Sequence, residues 1–285
     1  QMLQMVTQEG ENTGVCAVIG NFDDAQTGVK RIFSDPVLRE RLAADGKLLS
    51  SANSINWGRV LPQIVYYISA YCDLLASGAI RMGEKIDFCV PTGNFGNILA
   101  AYYAKRMGLP VGKLICASNS NDVLTEFIRT GVYDRNRPFH ATMSPSMDIL
   151  ISSNLERLLY LLSGSDEAVR GYMRQLSETG RYAVTPELHA KIQESFACGC
   201  CDEASTAETI GRVFKERSYL IDTHTAVAWN VLEQFRRESG SRSMSVVVST
   251  ASAFKFCASV LTALGVEKQA EGTQILRQLS ETAGC

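Results

Sequence analysis

The sequence predicts an α/β protein: a parallel sheet covered by helices, with a mainly helical insertion. Three observations predict it. Short apolar runs alternate with longer stretches of helical periodicity, the rhythm of βαβ units. The central run, Ile86 to Val90, is short and apolar apart from Asp87, and reads as a buried strand. Polar clusters recur where a strand-like run hands over to a helix-like one, at 51–59, 91–97 and 249–256.

In chain order, Val15–Ile19 is a strand candidate, followed by Asn21-Phe22-Asp23-Asp24 and a helix to about Phe33. Leu48–Ser51 is a second short strand candidate. Leu61, Ile64, Val65, Ile68, Cys72 and Leu75 recur at spacings of three and four and mark one face of a long helix. Ile86–Val90 is a strand and Asn97–Met107 a helix, stopped by Gly108 with Pro110 behind it. Leu114–Ala117 is a strand. Asp122 is placed to cap a helix Val123–Arg129 that ends at Gly131. Between about Met147 and Arg217 the reading is helix after helix: Met147–Leu162, Asp166–Glu178, Pro186–Ala197 and Ser205–Arg217. The last opens on a capping box, Ser205-Thr206-Ala207-Glu208. Residues 147–217 are therefore expected to be the helical insertion, and 1–146 with 218–285 the α/β domain. Asp222 opens a further helix, Ser245–Val248 is the last strand, and Ala253–Leu264 is helical up to Gly265.

The turn Pro91-Thr92-Gly93-Asn94-Phe95-Gly96-Asn97 carries the strongest chemistry. A strand, a turn with two glycines and a helix form an anion cradle, because backbone N–H groups and the helix dipole point at one place. Neither a G-x-x-x-x-G-K-[ST] nor a G-x-G-x-x-G pattern is present there. A phosphorylated ligand fits; the plain alternative is a tight βα connection. The Ser51–Arg59 cluster offers Asn53, Ser54 and Arg59, and the planar guanidinium matches phosphate or carboxylate oxygens. Its alternative is an ordinary helix cap beside a solvated arginine. Open parallel sheets hold ligands beyond their strand C-termini, where all these clusters are expected.

The 285 residues, 46% of them hydrophobic, can bury a sizeable core. A net charge of −2 argues against a nucleic-acid or anionic-membrane surface. No apolar run reaches the length of a spanning helix, and no secretory leader pattern opens the chain. The nine cysteines lie mostly in apolar segments, as small core hydrophobes do in a reducing cytosol. Cys198-Gly199-Cys200-Cys201 is the exception; a metal reading there lacks further ligands at useful spacing, with His189 the nearby histidine.

Asn21–Asp24, Ser51–Arg59, Pro91–Asn97, Asp222-Thr223-His224-Thr225-Ala226-Val227-Ala228 and Thr250–Phe256, in that order, resemble threonine synthase. The resemblance runs from about Val6 to Gly265. It implies a pyridoxal-phosphate enzyme of the tryptophan-synthase-β fold type, also called fold-type II, acting in threonine biosynthesis in the cytoplasm. The implied reaction converts O-phospho-L-homoserine and water to L-threonine and phosphate.

By this resemblance Gly93, Asn94, Phe95, Gly96 and Asn97 hold the cofactor phosphate, and Asn53, Ser54 and Arg59 the substrate phosphate. Thr250 faces the pyridine nitrogen. A hydroxyl there does not keep the nitrogen protonated, which tempers the electron sink. Ala253 departs from the proline usual in the family. A larger departure is that no Phe-Lys-Asp-like motif carries the family's cofactor-bonding lysine; Lys30, Lys47, Lys85, Lys113 and Lys255 stand in other contexts. Gln1 is not an initiator methionine. The expectation is thus a C-terminal portion of a threonine synthase with no catalytic residue of its own, incomplete as a fold-type II domain. Its partners would be a small phosphorylated amino acid and the missing N-terminal portion, with the oligomeric state open. The alternatives are a non-catalytic fragment, or another lyase of the same fold such as a serine/threonine dehydratase.

Overall fold

Parallel pairing organises the larger part of the chain. The structure, a computed structural model, describes residues 9–20, 22–51 and 54–284. The chain divides into two units, residues 1–52 and 53–285.

In the first unit, helices α1 (Phe22–Ser34) and α2 (Pro36–Ala44) follow one another. The Asp35 carboxylate accepts from the N–H groups of Val37 (2.9 Å) and Leu38 (3.1 Å), and Pro36 takes the first turn, where its missing N–H costs nothing. Among the residues from 9 to 51 whose side chains are described, none is buried. The strands expected at Val15–Ile19 and Leu48–Ser51 do not form. Strand backbone needs a ladder partner, and among the described residues this unit offers only the isolated Gly10–Thr13 bridge. Helix α2 had no clear apolar period and was not foreseen.

The second unit begins, among its described residues, with α3 (Trp57–Ala76). Strand β1 (Ile86–Pro91) leads to α4 (Gly96–Arg106), and β2 (Val111–Ser118) to α5 (Val123–Thr130). After β3 (Val132–Asp134) and a 3₁₀ turn (Pro145–Met147) come α6 (Leu155–Ser163), α7 (Asp166–Thr179), β4 (Arg181–Ala183), α8 (Pro186–Ser195), β5 (Phe196–Cys200) and α9 (Glu203–Arg217). The chain continues through α10 (Thr223–Ser239), β6 (Ser245–Val247), a 3₁₀ turn (Ala253–Phe256), α11 (Cys257–Ala263) and α12 (Gln274–Ala283).

Four strands form one parallel sheet in the order β5-β2-β1-β6; β3 and β4 form a separate antiparallel pair. Strand β1 is buried along its whole length. Its side chains alternate between two layers: Phe88 and Val90 pack with Ile64 and Tyr67 of α3 and Leu99 of α4, while Cys89 packs with Val227 and Val231 of α10. A third cluster joins Ile210 and Val213 of α9 to Val260 and Leu261 of α11.

Several sequence expectations change. Residues 147–217 are not strand-free: β5 is an edge strand of the main sheet, paired with β2 from Leu114↔Phe196 to Ser118↔Cys200. The segment is thus woven into the sheet rather than inserted beside it. The helix expected at Pro186–Ala197 stops at Ser195 because Phe196 turns to extended backbone (φ −110°, ψ 143°) and docks against β2. The helix expected from Met147 begins only at Leu155, for a reason given below. The Ser205–Glu208 capping box is not used; α9 starts earlier, and the Asp202 carboxylate accepts from the Ser205 N–H at 2.8 Å. Asp122 does not cap α5, since its carboxylate is engaged by Arg137 at 2.7 Å. The buried face of α3 is Val60, Ile64, Tyr67 and Tyr71, whereas Leu61, Val65, Ile68 and Cys72 are exposed. The helix is apolar on two sides, so spacing alone admitted either stripe.

No helix among the described residues is long and apolar enough to cross a membrane. The Cys198–Cys201 run is split between layers: Cys198 packs on the first cluster and Cys201 lies in the second. Burial pushes both thiols up to about 11. His189 bonds the Ile128 carbonyl at 2.9 Å instead, and no group of three His, Cys, Asp or Glu side chains among the described residues could hold a metal.

Candidate functional site

The C-terminal end of β1 opens into a cavity of about 300 Å³, at the small end of the range for ligand pockets. It is lined by the turn from Pro91 to Asn97, by Ser54 just before α3, by Arg59 and Gln63 in its first turns, and by Ser146, Met147, His224 and Thr250. Strand order explains the convergence. Strands β1 and β6 are parallel neighbours, so Gly93 and Thr250 both lie beyond strand C-termini on the same edge.

The turn is shaped by close approach. Phe95 takes the left-handed conformation (φ 59°) and buries its ring against Phe196, centroids 5.7 Å apart. The glycines serve another purpose. A Cβ on Gly93 would stand 2.5 Å from the Ser146 carbonyl oxygen, and one on Gly96 would stand 2.5 Å from Ser54 Cβ. Glycine is needed here so that neighbouring protein segments can close in.

The carbonyl side of the turn is tied down from behind. Ser152 Oγ donates to the Gly93 carbonyl (2.8 Å), and Asn154 Nδ2 donates to the Asn94 carbonyl (2.8 Å) and to Ser54 Oγ (3.0 Å). Ser153 Oγ donates to Asn94 Oδ1 at 3.1 Å. The Tyr67 hydroxyl lies 2.7 Å from Asn97 Oδ1. Arg157 donates from Nη1 to Asn154 Oδ1 (2.9 Å) and to the Ser54 carbonyl (3.2 Å), and from Nη2 to the Ile55 carbonyl. With the carbonyls held this way, the first-turn N–H groups of α4, whose residues Gly96 and Asn97 line the cavity, are the donors that a helix start leaves without an intrahelical acceptor.

Segment 140–148 forms the facing wall. Its position is set by Asp148, whose carboxylate accepts from Asn119 Nδ2 (2.7 Å), Asn121 Nδ2 (3.1 Å), Thr142 Oγ1 (2.6 Å) and the Thr142 N–H (2.9 Å). These bonds compete with helix formation, which is why Met147 makes one 3₁₀ turn and α6 waits until Leu155. Asn154 itself is left-handed (φ 96°), a conformation no helix interior accepts.

His224, at the start of α10, is nearly fully buried. Its Nδ1 lies 3.2 Å from Asp222 Oδ1, its Nε2 accepts from the Ser146 N–H at 3.2 Å, and its ring packs on Phe256 at 4.9 Å. The helix expected to open at Asp222 does so, and the Asp222 carboxylate caps it, accepting from the His224 N–H at 2.8 Å. Burial pushes its carboxyl up, but hydrogen bonds from His224 and Thr225 outweigh that and hold it below the usual carboxylate value.

The chemistry of the lining suits an anion. Arg59 is a cation, and no carboxylate appears among the described lining residues. The structure brings together eight of the nine residues singled out from the sequence: Gly93, Asn94, Phe95, Gly96, Asn97, Thr250, Ser54 and Arg59. Asn53 lies outside the described residues. Sequence reasoning missed Gln63, Ser146 and His224 in the lining, and the Ser152-Ser153-Asn154 clamp. The clamp was legible in principle, since three short polar residues inside a supposed helix signal a break.

No protein-family model matches the chain. Threonine synthase-like 1 of Macaca fascicularis is 44% identical over 271 residues, 94% of this chain and 36% of that protein. Threonine synthase of Saccharomyces cerevisiae is 36% identical over 276 residues, 92% of this chain and 52% of that protein. Among solved structures, the crystal structure of pyridoxal-phosphate-bound threonine synthase from Brucella melitensis superposes with a TM-score of 0.76 at 41% identity, covering 90% of this chain and 53% of that one. The chain thus spans between about a third and a half of the length of the proteins it matches.

Proposed function

Because this chain belongs to the threonine synthase family, with the sheet and helices of the pyridoxal-phosphate enzymes of fold-type II, we propose that it supplies the two phosphate sites of such an enzyme. The observation that carries this reading is one cavity holding both polar clusters, the Gly93–Asn97 turn and the Ser54–Arg59 helix start, with no carboxylate among its described lining residues.

In this reading the N–H groups of Asn94 to Asn97 hold the phosphate of pyridoxal phosphate. The donor set fits that group: a helix N-terminus whose carbonyl side is already satisfied by Ser152 and Asn154. When bound, the cofactor supplies an electron sink for carbanion chemistry. The chain's own residues bind and orient. Arg59 and Ser54, with Asn53, hold the phosphate of a phosphorylated amino acid, O-phospho-L-homoserine by family. The Thr250 hydroxyl, on the lining of the same cavity, would serve the pyridine nitrogen without adding a charge there. The whole reaction, a carbon–oxygen lyase step giving L-threonine and phosphate, is proposed with it. A cytoplasmic setting goes with the same reading, supported by the free thiols of the eight described cysteines.

A second reading has its own support. No lysine is present among the described lining residues, and Lys255 turns its ammonium over the Phe256 ring, 5.4 Å from the centroid. The chain by itself then binds the cofactor and the phosphorylated substrate without turning over.

Equilibrium binding of pyridoxal phosphate and O-phospho-L-homoserine to the full chain tests the assignment. Gly96→Leu is expected to abolish cofactor binding. Arg59→Ala is expected to weaken the phosphoamino acid by about tenfold or more, from loss of a charge-assisted contact, and to leave the cofactor bound. If Arg59→Ala empties the cofactor site while Gly96→Leu fills it normally, the two sites are reversed. Formation of threonine by the isolated chain would sink the second reading.

A further inference from the structure

Among the groups that line the cavity, His224 has both ring nitrogens committed. Ser146 N–H can only donate, so Nε2, 3.2 Å away, must present a lone pair. Nδ1 faces Asp222 Oδ1 at 3.2 Å and Thr223 Oγ1 at 3.3 Å, so the proton sits on Nδ1, where an ionised carboxylate accepts it. The side chain is 3% exposed, and the Phe256 ring covers it. The same Ser146 whose N–H is tied to His224 carries the carbonyl that lies 2.5 Å from where a Gly93 Cβ would stand.

We propose that His224 is a positioning residue for the anion turn, acting as the neutral Nδ1–H tautomer through the Ser146 N–H. This rests on the function proposed above, because the turn it serves is the proposed cofactor-phosphate site. The chain of contacts runs Asp222, His224, Ser146, Gly93. Asp222 fixes the tautomer, the bare Nε2 holds the N–H of the Pro145–Ser146 peptide, and across the Ser146 Cα the adjoining Ser146–Met147 peptide carries the carbonyl that limits how far Gly93 moves toward the wall. The imidazole transfers no proton in this role. A residue that merely filled space between Phe256 and the wall would have no tautomer requirement.

Two measurements on the full chain test it. The chain has three histidines, His140, His189 and His224, so long-range nitrogen–proton NMR resolves each ring. The expected signature of His224 at neutral pH is a proton on Nδ1 and an unprotonated, hydrogen-bonded Nε2. A proton on Nε2 overturns the proposal, and this readout does not depend on any variant folding. The second measurement is affinity for sulfate and for pyridoxal phosphate. His224→Asn places its amide at the Nδ1 end and cannot reach Ser146; sulfate should bind roughly five- to tenfold more weakly. His224→Gln puts a carbonyl near the Nε2 position and should recover most of that loss. Equal sulfate affinity in the wild type and His224→Asn overturns the proposal. If sulfate follows the expected pattern and pyridoxal phosphate does not bind, the proposed function fails while the role of His224 stands.

Discussion

The Ser146 carbonyl oxygen lies 2.5 Å from the point a Gly93 Cβ would occupy, with Met147 Cα 3.3 Å from the same point. Both neighbours are backbone, so neither can swing aside as a side chain would. Residues 53 positions apart in sequence are thereby pressed together at the end of β1, and the turn and its facing wall form one unit.

Gly93→Ala should therefore destabilise the protein by about 1–3 kcal/mol, the usual range for overpacking a filled site. It should also weaken pyridoxal phosphate binding, because the turn must shift to admit the methyl group. Gly171→Ala is the matched control: it lies inside α7 with nothing within 4 Å of the added atom. There the exchange should stabilise by about 0.5–1 kcal/mol. Denaturant midpoints of the two variants check the pair, and equal shifts of the same sign would contradict the contact at Gly93.

Asn154 combines a left-handed backbone with a fully used amide. Two substitutions separate these roles. Asn154→Gly keeps the conformation and loses the hydrogen bonds to Asn94 and Ser54. Asn154→Ala loses both, and should be less stable than Asn154→Gly by about 1 kcal/mol. Both should weaken anion binding alike, since both release the Asn94 carbonyl. Chemical denaturation and sulfate binding measured on the same samples decide it; anion affinities that track stability, not the missing amide, would count against the clamp.

Asp222 gives a pH dependence of defined sign. Its carboxyl titrates lower in the folded chain than the ordinary value of 3.8, through the bonds from His224 and Thr225. A depressed folded value means that the contribution to stability is fully present above the unfolded value and is lost as pH falls through the folded one. The wild type should thus lose stability relative to Asp222→Asn on acidification below about pH 4. Stability measured from pH 2.5 to 7 on both proteins tests this, and a gap that widens on acidification would refute the assignment.

How much of this was legible beforehand varies with the kind of signal. The turn at Pro91–Asn97 declared itself because strand, glycines and helix are local, contiguous features. The end of α5 at Gly131 and the start of α10 at Asp222 were legible for the same reason. Strand β5 was hidden: Phe196-Ala197-Cys198-Gly199-Cys200 follows a helix without a turn signal, and only pairing with β2 makes it extended. The buried stripe of α3 was misjudged because Tyr67 and Tyr71 were not counted as core; their hydroxyls reach Asn97 and the Glu84 carbonyl, so burial leaves them satisfied.

By itself the sequence determined the parallel α/β class, the glycine turn after β1 and the polar residues just before and within the first turn of α3, since these depend on neighbours a few positions apart. The tertiary structure decided the rest. It brought Ser146, Ser152, Asn154 and His224 to the turn from 50 to 130 residues away. It also gave the two glycines their reason, a close approach of distant backbone and side-chain atoms. Hydrogen bonds between remote groups leave no periodicity in a chain, so only folding could reveal which polar residues clamp the turn and which tautomer His224 holds.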